Sequence, residues 1–274
     1  MTSKKQVAVV IPFYKPELTR FEEISLTQCL KVLSAHPVFA IKPESLDLTK
    51  IQGNHQLTGV ECFEDSYFDG IQGYNKLMLS PDFYDRFLDY EFILIHQLDA
   101  FVFRDELLQW CSKGFDYIGA PWLKRLANPD FVKEWKTRLN TRYHIFVNTL
   151  ENDIPSDRQF DNMVGNGGFS LRRVKRLYDL SIKLAPQINQ YHKREEHQFH
   201  EDVFWSIEAN RKWRRLKIPL YKTALRFSFE NRLKQSMMHN SNQLPFGCHA
   251  WDQHVKFWTP YFKELGYDIA ANAQ

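Results

Sequence analysis

Val7-Ala8-Val9-Val10-Ile11 is an unbroken apolar run, rich in β-branched residues and closed by Pro12. It is too short for a buried helix, and no polar residue alternates within it. It therefore reads as a strand covered on both faces, the state of a central strand in a parallel sheet. Glu91-Phe92-Ile93-Leu94-Ile95 repeats the pattern after its first residue. Between the two, Leu26, Cys29, Leu30 and Leu33 share one helical face. Val38-Phe39-Ala40-Ile41, stopped by Pro43, and Gly59-Val60-Glu61-Cys62-Phe63 predict two more strands, and residues 75–88 a helix. Strand, helix and strand in alternation imply right-handed crossovers and an open, mostly parallel sheet. Ligands of such α/β sheets bind beyond the carboxyl ends of the strands. Chemistry is thus expected just after Ile11, Ile41, Phe63 and Ile95.

The rest of the chain is less regular. Phe115-Asp116-Tyr117-Ile118-Gly119-Ala120-Pro121 predicts a strand with a hard stop, and residues 123–160 are polar and read as loop with short helices. Gly165-Asn166-Gly167-Gly168 breaks the chain before a strand at Phe169-Ser170-Leu171. Residues 173–184 and 199–211 read as helical. With no repeat, low-complexity tract or Ser/Gly linker, residues 1–274 are expected to form a single domain.

Composition narrows the function classes. A hydrophobic fraction of 43% and a charged fraction of 25% are those of a globular protein. Lys plus Arg is 36 and Asp plus Glu is 33, and a net charge of +3 gives no footprint for nucleic acid. Cys29, Cys62, Cys111 and Cys248 form no CxxC pair, which argues against a zinc site or a disulfide framework. No window approaches a membrane span. The start of the chain, Met1 to Lys5, runs straight into a strand without the pattern of a signal peptide. A cytoplasmic protein, at most peripheral on the inner membrane face, is the expectation.

Four segments carry candidate chemistry. In Ile95-His96-Gln97-Leu98-Asp99-Ala100, a carboxylate follows a buried strand, placed either to hold a divalent cation with substrate phosphates or to cap a turn. In Gly165-Asn166-Gly167-Gly168, the glycines permit close approach of a ligand or simply form a tight turn. It is neither a GxGxxG fingerprint nor a P-loop. Glu201-Asp202 precedes an apolar helical face and offers a general base, or merely acids that suit a helix dipole. In Phe246-Gly247-Cys248-His249-Ala250-Trp251, His249 is a candidate ligand or phosphate contact. The basic run Arg211-Lys212-Trp213-Arg214-Arg215-Leu216-Lys217 suits anionic headgroups or a solvated helix end.

Taken in order with Val9-Val10-Ile11-Pro12-Phe13-Tyr14 and Asp116-Tyr117-Ile118-Gly119-Ala120-Pro121-Trp122, these segments resemble the GT-A glycosyltransferases. More closely, they resemble a bacterial and fungal domain-of-unknown-function family grouped with those enzymes. The resemblance spans residues 7 to 251 and implies a GT-A-like domain. Residues 1–122 would bind a nucleotide-sugar donor and residues 123–274 a glycan or lipid-linked acceptor. It implies roles by position. Pro12, Phe13 and Tyr14 border the nucleoside, Asn75 and Lys76 lie near the base or diphosphate, and Asn166, Gly167 and Gly168 contact the sugar. Gln97 and Asp99 stand where these enzymes carry an Asp-x-Asp metal motif, with His249 as a further ligand of Mn²⁺ or Mg²⁺. Asp202, or else Glu201, becomes the base of an inverting transfer. Gln97 in place of the first acid departs from the pattern. It leaves room for a rival reading, a nucleotide-sugar-binding scaffold of little or no activity.

Overall fold

The structure, a computed structural model, describes residues 5–125 and 130–270, with the backbone alone at Phe131. Residues 1–4, on which part of the reading of the N-terminus rests, lie outside the described residues. In chain order the elements begin with β1 (Lys5–Pro12), α1 (Arg20–Val32), β2 (Val38–Pro43), α2 (Thr49–Asn54), β3 (Gly59–Phe63), α3 (Gly70–Leu79), α4 (Pro81–Asp85) and β4 (Tyr90–His96). The middle of the chain adds β5 (Phe101–Val102), α5 (Leu107–Ser112), β6 (Tyr117–Ile118), β7 (Pro121–Trp122), α6 (Phe131–Val147), β8 (Leu150–Glu151), β9 (Ile154–Pro155) and β10 (Met163–Val164). The last third holds β11 (Phe169–Arg173), α7 (Val174–Lys183), α8 (Ala185–Tyr191), α9 (Glu201–Ser206), α10 (Tyr221–Phe227), β12 (Ser228–Phe229), α11 (Leu233–His239), β13 (Gly247–Cys248) and α12 (Val255–Glu264).

The main sheet has the order β3-β2-β1-β4-β11-β6. Its first four strands are parallel, whereas β11 runs antiparallel to both β4 and β6. The expected α/β fold with a mostly parallel sheet flanked by helices is the one observed. Side-chain alternation explains the unbroken apolar runs. Val7, Val9 and Ile11 enter one core layer together with Phe92 and Leu94. Ala8 and Val10 enter the opposite layer with Ile93 and Ile95. Both faces of β1 and β4 are covered, so neither strand carries a polar side.

Three local expectations change. The helix over residues 75–88 divides, because Ser80 caps Phe83 N–H and Pro81 opens α4. A proline suits the first helical turn and cannot continue the preceding helix. Pro121 is no hard stop; it pairs with Val164 in β7, a short edge pairing that a proline tolerates. Residues 123–160 contain α6, opened by Asp130 and ended by Asn148 in the left-handed conformation at φ 51°. Many of its apolar residues face outward, which hid the helix from a search for a buried stripe.

A second sheet of order β12-β13-β5 matters more for function. β12 and β13 are parallel, and β13 is antiparallel to β5 with Cys248 opposite Phe101. The residues following β12 and β13 therefore emerge beside the residues preceding β5. That register brings Glu230 and His249 against the loop that leaves β4. Among the described residues no helix is long and apolar enough to cross a membrane.

Candidate active site

The loop after β4 is tied down from two sides. Gln97 N–H donates to Gly168 O (2.9 Å), and Ala100 N–H donates back to Gln97 O (2.9 Å). Asp99 O accepts from Trp251 N–H (3.3 Å), while His249 N–H donates to Phe229 O (2.9 Å). Five segments thus meet at one point: the β4 exit, the glycine turn, the start of α9, and the exits of β12 and β13.

His249 occupies the centre. Its Nε2 lies 3.0 Å from Gln97 Oε1 and 3.2 Å from Asp99 Oδ1. Its Nδ1 lies 3.3 Å from Glu230 Oε1. Burial disfavours a charged imidazole here, but Asp99 and Glu230 outweigh it and raise His249 to about 10. Burial likewise opposes ionisation of Asp99, and the charge and hydrogen bond of His249 overcome it, holding this carboxyl below its ordinary value. The imidazole thus favours its protonated form, with Asp99 on one side and Glu230 on the other.

The same atoms fit a cation. Adjacent ligands on an octahedral ion with bonds of about 2.1 Å stand ~3.0 Å apart. The distances from His249 Nε2 to Gln97 and Asp99 match that edge. Amide oxygen, carboxylate oxygen and imidazole nitrogen suit Mn²⁺ or Mg²⁺ rather than thiophilic metals. Among the described residues no group of three or more His, Cys, Asp or Glu could hold a metal unaided. Gln97 and oxygens from a ligand would have to complete the shell, and binding would displace the proton of His249.

The glycine turn makes the cleft wall. A Cβ on Gly168 would overlap the His249 imidazole and crowd Gln97 Oε1, and one on Gly167 would overlap Glu201 Oε1. No side chain fits at either position without moving these groups. Asn166 is buried, donates its amide to Glu230, and accepts from Phe169 N–H at 3.5 Å.

Glu201 and Asp202, neighbours on α9, go to different places. Glu201 is buried against Arg172, with 2.8 Å between Oε1 and Nη2. Arg172 is itself inaccessible and also donates to Ser170 Oγ (3.0 Å), Tyr84 Oη (3.2 Å) and Gly167 O (3.3 Å). Burial opposes both charges, and their attraction holds the Arg172 guanidinium protonated. Asp202 is partly exposed. Burial first, then the charges of Glu201 and Glu230, raise its carboxyl to about 7. Its proton is therefore held more tightly than that of an ordinary aspartate.

The donor-side candidates divide. Tyr14 is exposed and stands edge-on to Phe68 with centroids 5.7 Å apart and tilted to Tyr74 at 6.3 Å. Burial of its phenol, then the charges of Tyr74, Asp99 and Glu201, raise it well above its ordinary value. Phe13 is fully buried in the core, so its ring takes no part in the cleft surface. Pro12 ends β1 within the sheet, opposite Ile41. Asn75 is buried and accepts from Glu201 N–H (3.0 Å), fixing the start of α9, while its Nδ2 has no partner. Lys76 is exposed beside His192 and makes no contact with the cluster. His96 is buried and neutral, its value pulled down to about 4 by burial.

Sequence reasoning named Glu201 but missed Glu230 and the pairing of Glu201 with Arg172. Glu230 follows the short apolar run Phe227-Ser228-Phe229, the same signal that marked Asp99. Arg172, directly after Phe169-Ser170-Leu171 in a buried strand, called for an acid partner, without saying which.

Among curated proteins none matches the chain in sequence. The protein family described as Protein of unknown function (DUF5672) matches residues 58–249. In three dimensions the chain is similar to a crystal structure of the galactosyltransferase LgtC in complex with donor and acceptor sugar analogs. That match has a TM-score of 0.56 at 12% identity and covers 94% of each chain. Weaker likenesses are to mouse xyloside xylosyltransferase 1 in its apo form, and to residues 1–349 of S. aureus TarS. The first has a TM-score of 0.48 at 13% identity, over 89% of this chain and 97% of that one. The second has 0.39 at 13%, over 81% and 63%. The first likeness is one of fold, and it is the GT-A fold that the sequence motifs implied.

Proposed function

The chain belongs to the DUF5672 family, and from that premise and the geometry of the cleft we propose that it is a glycosyltransferase. In this reading it moves a sugar from a nucleotide-sugar donor to a hydroxyl of a glycan or lipid-linked acceptor, in glycan biosynthesis. The observation that carries the reading is the convergence of Gln97, Asp99, Glu230 and His249 on one point at the carboxyl end of β4, walled by Gly167 and Gly168.

Asp99, Gln97 and His249 would hold a divalent cation, with Glu230 and Asn166 orienting the imidazole from behind. Mn²⁺ or Mg²⁺ there would neutralise charge on a departing nucleoside diphosphate. Tyr14, with Phe68 and Tyr74 behind it, offers a flat surface for a nucleoside. The glycine turn brings backbone close to the sugar. Asp202 accepts the proton of the acceptor hydroxyl as its oxygen bonds to the anomeric carbon. The old bond to the diphosphate breaks with its electron pair on the leaving oxygen. One base and one displacement invert the anomeric centre. A base near pH 7 has the balance of basicity and ionisation that general-base catalysis favours.

The test is incubation with a panel of nucleotide sugars and Mn²⁺ in the absence of acceptor. Slow hydrolysis of one donor above the buffer rate is expected. Tight binding without turnover would transfer the assignment to a nucleotide-sugar-binding scaffold, the reading that Gln97 admits. Neither binding nor turnover with any donor would remove both.

A further inference from the structure

Helix α6 presents its apolar side to solvent. Val132, Trp135, Leu139, Tyr143 and Phe146 recur at spacings of three and four, and at ~100° per residue they fall within an arc of roughly 80°. All five are exposed, Leu139 and Tyr143 at 61% and 62%. The opposite side, with Thr137, Thr141, His144 and Ile145, is the buried one. An amphipathic helix normally turns such a stripe inward.

Cations line the stripe. Lys133 and Lys136 flank it on one edge, Arg138 and Arg142 on the other. The one acid of the helix, Glu134, lies off the stripe and is paired with Lys222 at 2.7 Å. The segment 211–217 adjoins it, since Lys212 Nζ stands 5.2 Å from the centre of the Phe146 ring. Trp213, between Lys212 and Arg214, is 74% exposed. Behind the stripe opens a cavity of about 1130 Å³, with Ile145, Ile207 and Leu216 in its wall and Arg138, Arg142 and Arg214 also lining it. The other acid lining the cavity, Asp161, is paired with Lys124 at 2.6 Å. No ion pair found among the described residues involves Arg138, Arg142 or Arg214.

We propose that α6 and residues 211–217 form a face that docks on an anionic lipid bilayer, the apolar stripe entering the interface and headgroup phosphates seating among Arg138, Arg142 and Arg214. A helix with an outward apolar arc, cations along its edges and an exposed tryptophan beside it has the chemistry of an interfacial anchor. Partial burial, then the charges of Arg138 and Arg214, pull the Arg142 guanidinium below its ordinary value, which an anion would relieve. A second copy of the chain is a poorer occupant. Two-fold symmetry sets a patch against itself, and here it would set these cations against their own copies. The proposal is independent of the reaction assigned to the cleft.

The test is co-sedimentation of the full chain with vesicles of phosphatidylcholine alone or with about 30% phosphatidylglycerol, a charge density that attracts basic surfaces. Binding to the anionic vesicles and weakening by salt are expected. Leu139→Ser with Phe146→Ser, and separately Arg142→Gln with Arg214→Gln, should each weaken it at least about tenfold. These side chains are exposed, and circular dichroism checks that both variants remain folded. Equal behaviour with neutral and anionic vesicles, or unchanged binding by both variants, would overturn the proposal. So would a concentration-dependent dimer in sedimentation velocity that the Leu139→Ser, Phe146→Ser variant abolishes, because the face would then belong to a second copy.

Discussion

Two charged clusters meet at the glycine turn, and they are built on opposite terms. Arg172 and Glu201 face each other in the core, shut off from water, with three further donors of the arginine directed at Ser170, Tyr84 and Gly167. His249 sits between Asp99 and Glu230, which stay partly open, 35% for the Asp99 side chain. A sealed pair is out of reach of a ligand and holds the backbone of the turn and of α9. An open one keeps lone pairs and positive charge available. The border runs between adjacent residues, because Glu201 and Asp202 point about 100° apart on their helix. The difference separates groups that shape the cleft from groups that can act in it.

The strongest way to break that division is at Asp202. Asp202→Asn should lower the rate of sugar transfer by a factor on the order of 10²–10⁴, the range for a positioned base, while donor affinity stays near that of the parent. Glu201→Gln should act through stability rather than through the pH profile. A near-normal transfer rate in Asp202→Asn would move it to the structural side.

Arg172→Met tests the sealed pair. It leaves Glu201 buried without a partner, a change that costs about 3–5 kcal/mol when a buried pair is broken. Urea denaturation reads it directly. Adding Glu201→Leu should recover much of the loss, since an apolar replacement of a whole buried pair is often near neutral. If the double variant were as unstable as the single one, the pair would be doing more than filling and fixing the core.

The smallest effect concerns pH. With its folded value near 7 against an ordinary 3.8, Asp202 binds a proton more tightly in the folded chain. The folded state then holds more protons than the unfolded one between those values, so its stability falls as pH rises through that window. Asp202→Asn removes this dependence. The variant should gain on the parent from pH 4 to pH 8 by on the order of 1 kcal/mol, allowing for the water that reaches the carboxyl. A constant gap in melting temperature across that range would contradict the raised value.

What the sequence made legible follows from periodicity. β1, β2 and β4 are short apolar runs between breakers, and the burial of β1 and β4 on both faces left little ambiguity in reading them as strands, whereas β3, at the sheet edge, is mostly half-buried and was legible from its β-branched and aromatic residues. Gln97, Asp99, Asn166 and His249 were each found beside a strand end, and they do converge. Glu230 was not, because its strand is two residues long and exists only through pairing with β13. Phe13 and Lys76 were carried by position along the chain, and their side chains lie away from the cluster, in the core and on the surface. α6 escaped because its periodicity points outward, which no rule based on core burial detects.

The antiparallel seam between β4 and β11 has a consequence for how such a chain can vary. Phe169 pairs with His96, so the loop leaving one strand and the loop entering the other lie at the same end of the sheet. Residues 97 and 168 are thereby stapled together by main chain, whatever the intervening segment does. Asp99, β5 and β6 lie between them and belong to the cluster and its sheets, but the segment between β7 and β10, α6 included, is an excursion closed at its base by the pairing of Met163 with Trp122. It can lengthen, shorten or be exchanged, and thereby change what the protein settles on or selects, without shifting the cluster around His249.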